Sequence, residues 1–567
     1  MLIECIVDFV AHRTRSKARL VGNGLLMRAA NLAGGANEPS IEALLARACV
    51  TTADPILRDH QQLEFDTFIQ DDPLSYEAAI ASTDAEKWKD SMRQEWNSIL
   101  ENQTFKAFEE GGELTPIGCD LPGTTGTPLS YPATAKPISS KWVYKTKRNP
   151  DGSVRFKSRL VIRGFQQVEG VDYGDTYAPV SKLTTFRLLI SLAAQYGWVV
   201  DHLDVVTAFL NPKIDREHVY MVLPPGLEWL DPRFSPSGIV LLLKALYGLK
   251  QAPRLWYDEI NRFLLSIGLR QSPTDPNLYV GSGVLLLLYV DDIILVHTSP
   301  NGGEPTKRQL LEKYKMTDLG KACRLLGVEI YQGIEGISLC QGDYIRKVLR
   351  RFGMQGCHGV HSPMDPNVCL NNEKCEDKRV PDHKQYLSMV GSLMYAALGT
   401  RPDLSYCVTA LSRYNATPLQ MHLTAAKRAL RYLKQTADHR LFYPRAPELA
   451  DGLAAEAVIH GFTDSDWAGN EFTRKSVGGC IFYTQVTPGV GRLGGPGCYP
   501  GPGAVHWQSR TQTVVALSTL EAEYIACSDA VREAIWVRRL LADIIKEVFP
   551  ESIGAALSTA VRIGCDN

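Results

Sequence analysis

The chain has almost no net charge, −1 over 567 residues with histidine neutral. A protein devoted to gripping duplex DNA is usually basic overall, so any nucleic-acid surface here has to be local. No stretch is long and apolar enough to span a membrane. The thirteen cysteines are odd in number and scattered, without a Cys-x-x-Cys pair. That argues against a disulfide framework and for free thiols in a reducing compartment. Cys357, His358, His361, Cys369 and Cys375 crowd one stretch, but their spacing fits no zinc pattern and they read as loop residues. The opening "MLIECIVDFV" carries Glu4 and Asp8, and its basic residues follow it, the wrong order for a secretory leader. Phe9 to Asn37 holds Arg13, Lys17, Arg19 and Arg28 and no acid, a faint transit-peptide look beside the plainer reading of a solvated lead-in. No internal repeat is found.

What is present is an ordinary globular balance, 45% hydrophobic and 22% charged, at a length that suggests several domains. Little order is legible before about Leu63. A helical pattern then starts: Asp84 can cap it, and Trp88, Met92, Trp96 and Ile99 recur on one face. A Gly/Pro/Thr-rich stretch up to Pro137 reads as a loop. Two alternating strands follow around Asn149-Pro150-Asp151-Gly152, a strong hairpin signal. "TTFRLLISLAAQYGW" reads as a helix running into the strand "VVDHLDVVTAFL", and Arg254 to Ile267 as another helix. The basic helix "TAAKRALRYLKQT" lies further on, with Lys427, Arg428, Arg431 and Lys434. Beyond about Leu449, "VIHGFTDSDWAG", "GGCIFYTQV" and "AVRIGCDN" read as strands, and Thr519 to Val548 as a long helix. Thr487 to Gly503 is mostly Gly and Pro, hence a loop.

One stretch poses a physical problem. "VLLLLYVDDIILVH" sets Asp291 and Asp292 side by side in an apolar run. Adjacent like charges repel, and burial makes that worse. The run reads as two buried strands joined by a tight turn, so a solvent-facing hairpin tip is one reading. Against it, the turn has no Gly or Asn. A divalent cation is the other reading: Mg²⁺ takes hard oxygen ligands and would hold both carboxylates ionised. Two ions can clamp the attacking and leaving oxygens of a phosphoryl transfer, and that chemistry wants a third carboxylate. Asp201 and Asp204 in "DHLDVVTAFL" are candidates, with a partnered core aspartate as the alternative.

At these residues the chain resembles the reverse transcriptase of copia-type LTR retrotransposons. The resemblance rests on "KWVYKTKRNPDGSVRFKSRLVIRGFQQVEGVDYGDTYAPV", "LDVVTAFLN", "LYGLKQAPRLWY" and "LLLLYVDDIIL", and runs in order from about Asp72 to the C-terminus. It implies an α+β, multidomain fold: a right-hand polymerase of fingers, palm and thumb over 139–360, after a helix and loop over 64–138. A connection region over 361–450 and a partial RNase H-like α/β domain over 451–567 would follow, with 487–503 as an insertion and 1–63 unassigned. It implies extension of a DNA primer on an RNA or DNA template with deoxynucleoside triphosphates and Mg²⁺ or Mn²⁺, two ions per site. Asp204 and Asp291 would ligate both ions and Asp292 would be secondary.

Lys141, Lys145, Lys147, Arg148, Arg155, Lys157, Arg159 and Arg163 face only Asp151 in their span. A solvated charged hairpin is the plain reading. The resemblance places this hairpin in the fingers, with Lys157 and Arg159 on the incoming phosphates, where Arg gives bidentate contact and Lys a point charge. Phe209 would block a ribose 2′-hydroxyl, if it is not simply core, and Gln251 in "YGLKQAP" would bond near the nascent base pair. RNase H acids match at Asp464, Glu521 and Asp566, with Asp466 and Glu523 as decoys. The family pattern continues beyond "CDN" to a fourth acid, so RNase H activity is expected to be impaired. The chain thus reads as a fragment of a polyprotein, an active reverse transcriptase or else an inactive relic that at most binds nucleic acid. An RNA-templated RNA polymerase shares the two-aspartate turn, but Phe209 and the tail speak against it. The family works in cytoplasmic particles and delivers DNA to the nucleus; no address, and no oligomeric state, is readable in the sequence.

Overall fold

The computed structural model describes residues 72–107, 136–148, 153–216, 219–234, 238–281, 283–299, 301–365, 367–368, 370, 382–445, 456–470, 472–487, 503–548 and 561–565. They fall in one compact unit, Glu64–Ala556 with Val561–Asn567. The lead-in before Leu63, the hairpin tip at 149–152, most of the Gly/Pro-rich loops, Cys369, Cys375 and Asp566 lie outside the described residues. The architecture is mixed α/β, with four sheets and eleven α-helices among the described residues. None of these helices is long and apolar enough to cross a membrane.

The first sheet, of five strands, contains the expected hairpin. Its arms β1 (Ile138–Arg148) and β2 (Val154–Ile162) pair antiparallel, with Lys145 opposite Lys157 and Val143 opposite Arg159. Alternation along β2 buries Ser158, Leu160 and Ile162 and leaves Lys157 and Arg159 on the other face. Helix α1 (Ala85–Glu101) covers the buried face. Its stripe of Trp88, Met92, Trp96 and Ile99 is fully buried, as the spacing predicts. Trp88 stands edge-on to Tyr144 and Phe156, with ring centroids at 5.2 and 4.7 Å. Each such side chain is worth roughly 1.5–3 kcal/mol of transfer free energy. Asp84 occupies the N-cap position without bonding a backbone amide; it pairs with Lys87 at 2.8 Å.

The second sheet, of six strands, explains the long apolar run. β4 (Val284–Tyr289) and β5 (Asp292–His297) form a hairpin, and β5 also pairs with β3 (Val199–Val205). Leu286, Leu288, Ile293 and Leu295 enter one hydrophobic core, while Leu285, Leu287, Ile294 and Val296 enter another. Both faces of this sheet are buried, so the strands cannot alternate with polar residues. Helix α2 (Leu183–Tyr196) is buried from Thr184 through Gln195 and ends on Gly197 at φ +68, the left-handed C-terminal position that favours glycine. It lies between this sheet and the fourth. Ser191 and Thr484 hydroxyls meet at 2.7 Å, and Arg187 Nε donates to the Val505 carbonyl at 2.8 Å.

The third sheet shares a core with α2 and the fourth sheet, while α3 (Ser405–Ser412) and α4 (Gln420–Gln435) belong to a separate helical core. The fourth sheet runs β8 (Ala504–Thr511), β7 (Val477–Thr487), β6 (Glu456–Ser465), β9 (Arg562–Gly564). β9 is parallel to β6, and the long helix α5 (Thr519–Val548) packs on the sheet. β8 is not expected from the sequence: "AVHWQSRT" follows a Gly/Pro-rich stretch and its second half is four polar residues.

Candidate active site

The turn between β4 and β5 has two residues, Val290 and Asp291, because Tyr289 pairs with Asp292. Asp291 therefore sits at the tip and Asp292 begins the strand. Val290 has φ +57. This first loop position usually belongs to glycine, and a β-branched residue there is strained. The surroundings hold the turn in place. Trp256 Nε1 donates to the Val290 carbonyl at 2.6 Å, and the Val205 amide donates to the Asp291 carbonyl at 2.8 Å.

The β3–β5 register sets Asp204 directly opposite Asp292. Directly opposed residues share one face, with Cβ atoms about 5 Å apart. Burial, then Asp292 and Asp204, push the Asp291 carboxyl up to about 6, while Arg159 eases it. The three acids expected to act together are thus electrostatic neighbours. Asp201, the other candidate, faces away from Asp204. It bonds His297 Nε2 at 3.0 Å and Lys307 Nζ at 2.6 Å. Burial raises it, but those two partners overcome the burial and hold it below the usual carboxylate range. It is a partnered core aspartate.

His202 carries no signal in the sequence. It lies two residues before Asp204 on the same strand face, diagonal to Asp292, and its Nε2 meets Asp292 Oδ1 at 2.7 Å. Among the described residues no three His, Cys, Asp or Glu side chains close into a metal cage by themselves. Mg²⁺, however, is commonly held by one or two carboxylates with waters and substrate phosphates completing its shell. Hard oxygen donors that repel one another suit such an ion.

Cations stand near these acids. Burial and neighbouring Arg159 hold Lys157 down to about 8, while Glu95 and Asp204 pull it up. The Arg159 guanidinium lies 4.7 Å from the Tyr247 ring centre. Phe209 is buried and meets Tyr247 edge-on at 5.1 Å. Sequence reasoning missed Glu95. It is buried on α1, where desolvation raises it against the pull of Arg159 and Lys157, and it accepts the Leu160 amide at 3.4 Å. Its charge fell inside an amphipathic helix, where nothing local sets it apart from a surface glutamate.

Gln251 is held inside the fold. It is fully buried, its Oε1 accepts from Gln167 at 2.9 Å, and its Nε2 donates to the Asp172 carbonyl at 2.9 Å. Its amide braces the 167–172 loop from within. The basic helix α4 is likewise engaged: Arg428 pairs with Asp365, Arg431 bonds the His358 carbonyl, and Lys434 bonds the Cys357 carbonyl.

The fourth sheet holds the other acids. Asp464 is exposed near the end of β6. Glu523 is buried, accepts the Ser465 amide at 3.2 Å, and meets Cys565 Sγ at 3.4 Å. Glu521 is half-buried and turns back to accept the Leu517 amide at 2.8 Å. Of the two, Glu523 is the one turned toward β6. Residues two apart on a helix point about 200° apart, so only one of them can face the sheet. Asp466 accepts the Val477 amide at 2.7 Å and shapes its turn.

A family model described as reverse transcriptase (RNA-dependent DNA polymerase) matches residues 125–366. The retrovirus-related Pol polyprotein from transposon TNT 1-94 of Nicotiana tabacum is 34% identical over 490 residues, 84% of this chain and 33% of that protein. The corresponding polyprotein from transposon RE1 of Arabidopsis thaliana is 33% identical over 86% of this chain and 30% of its own length. The putative transposon Ty5-1 protein of Saccharomyces cerevisiae is 32% identical over 339 residues, 58% of this chain and 100% of its own length. The chain thus spans about a third of the two Pol polyproteins. With the three-aspartate register on β3 and β5 inside the matched region, these relationships establish that the chain belongs to the copia-type retrotransposon Pol family.

Proposed function

We propose that this chain carries an RNA-directed DNA polymerase that extends a DNA primer on an RNA or DNA template. The observation that carries the reading is the grouping of Asp204, Asp291 and Asp292 near Lys157 and Arg159. Acids and phosphate-binding cations in one place suit a triphosphate bridged by metal. Asp204 and Asp291 would hold two divalent ions, Mg²⁺ or Mn²⁺, with Asp292 as a secondary ligand. Such ions, when bound, neutralise the triphosphate and activate the primer 3′-hydroxyl.

The chain's own groups divide the remaining work. Lys157 and Arg159 bind the phosphate oxygens, Arg159 with a fork that the Tyr247 ring orients. Phe209, wedged against Tyr247, leaves no room for a 2′-hydroxyl and selects deoxyribose. His202 holds one oxygen of Asp292 and fixes that carboxylate's rotamer. In this reading the two sheets over 139–360 are the fingers and palm, and the fourth sheet is RNase H-like. Its acids would be Asp464, Glu523 in place of Glu521, and Asp566.

The test is primer extension on an RNA template with Mg²⁺, supplied with deoxy- or ribonucleotides, with Asp291→Asn as control. Extension with deoxynucleotides alone, lost in the variant, is expected. A well-folded wild-type chain that extends nothing would refute the reading and leave a fold kept without its chemistry.

A further inference from the structure

The Val290–Asp291 turn is the most strained element of the site. Val290 stands at φ +57. A β-branched side chain there crowds its own backbone, and such strain persists only where the surroundings over-determine it. Left free, the turn would relax toward negative φ and carry the Asp291 carboxylate away with it.

Hydrogen bonds to both of its carbonyls restrain the turn. The Val205 amide donates to the Asp291 carbonyl at 2.8 Å, a backbone bond that any sequence in this register can make. The bond from Trp256 Nε1 to the Val290 carbonyl at 2.6 Å depends on one side chain. Phenylalanine would fill much of the same space and offer no N–H. Trp256 is fully buried on the helix Ala252–Ser266. Tyr314 meets its ring edge-on at 5.3 Å, and Phe263 meets Tyr314 edge-on at 5.3 Å, so the indole is fixed from behind. Tyr314 leads into the strand Met316–Lys321, where Thr317 pairs with Asp204. The support of the Asp291 turn and the strand that flanks Asp204 therefore share one core.

The same helix reaches the nucleotide wall. Tyr247 lies nine residues before Trp256, and the segment between them is tightly bonded. The Leu249 amide donates to the Leu246 carbonyl at 3.2 Å, the Ala252 amide to the Leu249 carbonyl at 3.3 Å, and the Leu255 amide to the Gln251 carbonyl at 3.0 Å. Pro253 in the first helical turn stiffens it further. At the near end of this segment the Tyr247 ring carries Arg159 and abuts Phe209. At the far end Trp256 grips the turn.

We propose that Trp256 is a positioning residue: its indole N–H holds the Val290–Asp291 turn in its left-handed conformation and fixes the Asp291 carboxylate relative to Asp204 and the Tyr247 wall. The inference rests on the polymerase reading above and adds to it a residue that touches neither metal nor nucleotide. Its loss displaces Asp291 and leaves Lys157, Arg159 and Tyr247 in place, so it falls on kcat rather than on KM.

The experiment is a double-mutant cycle in the full chain, Trp256→Phe against Val290→Gly. Trp256→Phe should lower kcat for primer extension about tenfold and leave the deoxynucleotide KM within about twofold. Glycine adopts positive φ without strain, so in the Val290→Gly background the same substitution should lower kcat less than about threefold. A second readout needs neither metal nor turnover. Hydrogen–deuterium exchange of the Val205 amide in EDTA should quicken about tenfold in Trp256→Phe, and less than about threefold when Val290→Gly accompanies it. Should Trp256→Phe not fold, benzothienylalanine at position 256 keeps the bicyclic ring, lacks the N–H and should give the same results. A wild-type chain that extends primers, with Trp256→Phe matching it in kcat and in exchange, would overturn this inference alone. So would equal losses in the two backgrounds, which would make Trp256 a packing residue indifferent to the turn. A wild-type chain that extends nothing would overturn the polymerase reading, and this inference with it.

Discussion

Asp291→Asn should make the metal-free protein more stable while abolishing its polymerase activity. The Asp291 carboxyl is raised from an ordinary 3.8 to about 6, by burial first and then by Asp292 and Asp204. A carboxyl raised on folding contributes stability that is fully present below about 3.8 and lost as pH rises through about 6. At neutral pH the folded chain therefore bears the whole penalty. Two pKa units correspond to about 3 kcal/mol. Asp291 is partly exposed, so solvent screening leaves on the order of 1–2 kcal/mol. The compact unit contains about 500 residues. At about 2.1 cal/mol/K per residue its unfolding entropy is near 1 kcal/mol/K, so the expected gain is about 1–2 °C in melting temperature. The assay is thermal unfolding in EDTA, near neutrality and again below the ordinary carboxylate pKa, where wild type and variant should coincide. Added Mg²⁺ should raise the wild-type melting temperature more than the variant's. A variant that melts lower than wild type in EDTA at neutral pH would refute the argument. Asp291 would then be a stabilising hydrogen-bonded residue rather than a charge held in place for a cation.

Lys157, held down to about 8, should lose its charge above that pH, so kcat/KM for deoxynucleotides should fall about tenfold per unit there. Lys157→Arg should move that fall to higher pH, and an unshifted profile would remove Lys157 from the phosphate site. Phe209→Ala should raise kcat/KM for ribonucleotides by at least about tenfold, because the closed wall against Tyr247 opens; steady-state incorporation assays decide it. Gln251→Ala leaves the buried Gln167 amide and the Asp172 carbonyl unmatched, and should cost about 1–3 kcal/mol in denaturant unfolding. If Gln251 instead contacts the nascent base pair directly, stability will hold and nucleotide KM will rise. If the fourth sheet cleaves RNA in a hybrid, Glu523→Gln should abolish that cleavage and Glu521→Gln should leave it within about twofold.

The sequence carried the local arrangement further than the site. Continuous apolar runs on either side of the aspartates, the tryptophan stripe of α1 and the span of α5 are one-dimensional patterns, and the structure repeats them nearly residue for residue. What sequence could not give depends on which side of an element a residue takes once its neighbours are chosen. Asp201 and Asp204 are three apart on a strand, so one must face each core. Only the pairing with β5 decides that Asp204 meets Asp292 while Asp201 is neutralised by His297 and Lys307. Glu521 and Glu523 pose the same problem on a helix, settled by how the first turn of α5 seats on β6. His202, Glu95 and Gln251 differ again. Each is polar, buried and matched by a group 65 to 90 positions away, so its role exists only after the chain has folded. A polar residue within an apolar pattern signals that a partner exists but not which one. The aspartate pair was legible because its repulsion is visible between adjacent residues, whereas the matched buried groups carry their compensation in three dimensions. The strain at Val290 belongs to this second class. Valine is the residue a strand prefers, and only the register that makes it a turn residue shows that the hairpin tip is held by Trp256 and β3 against its own backbone preference.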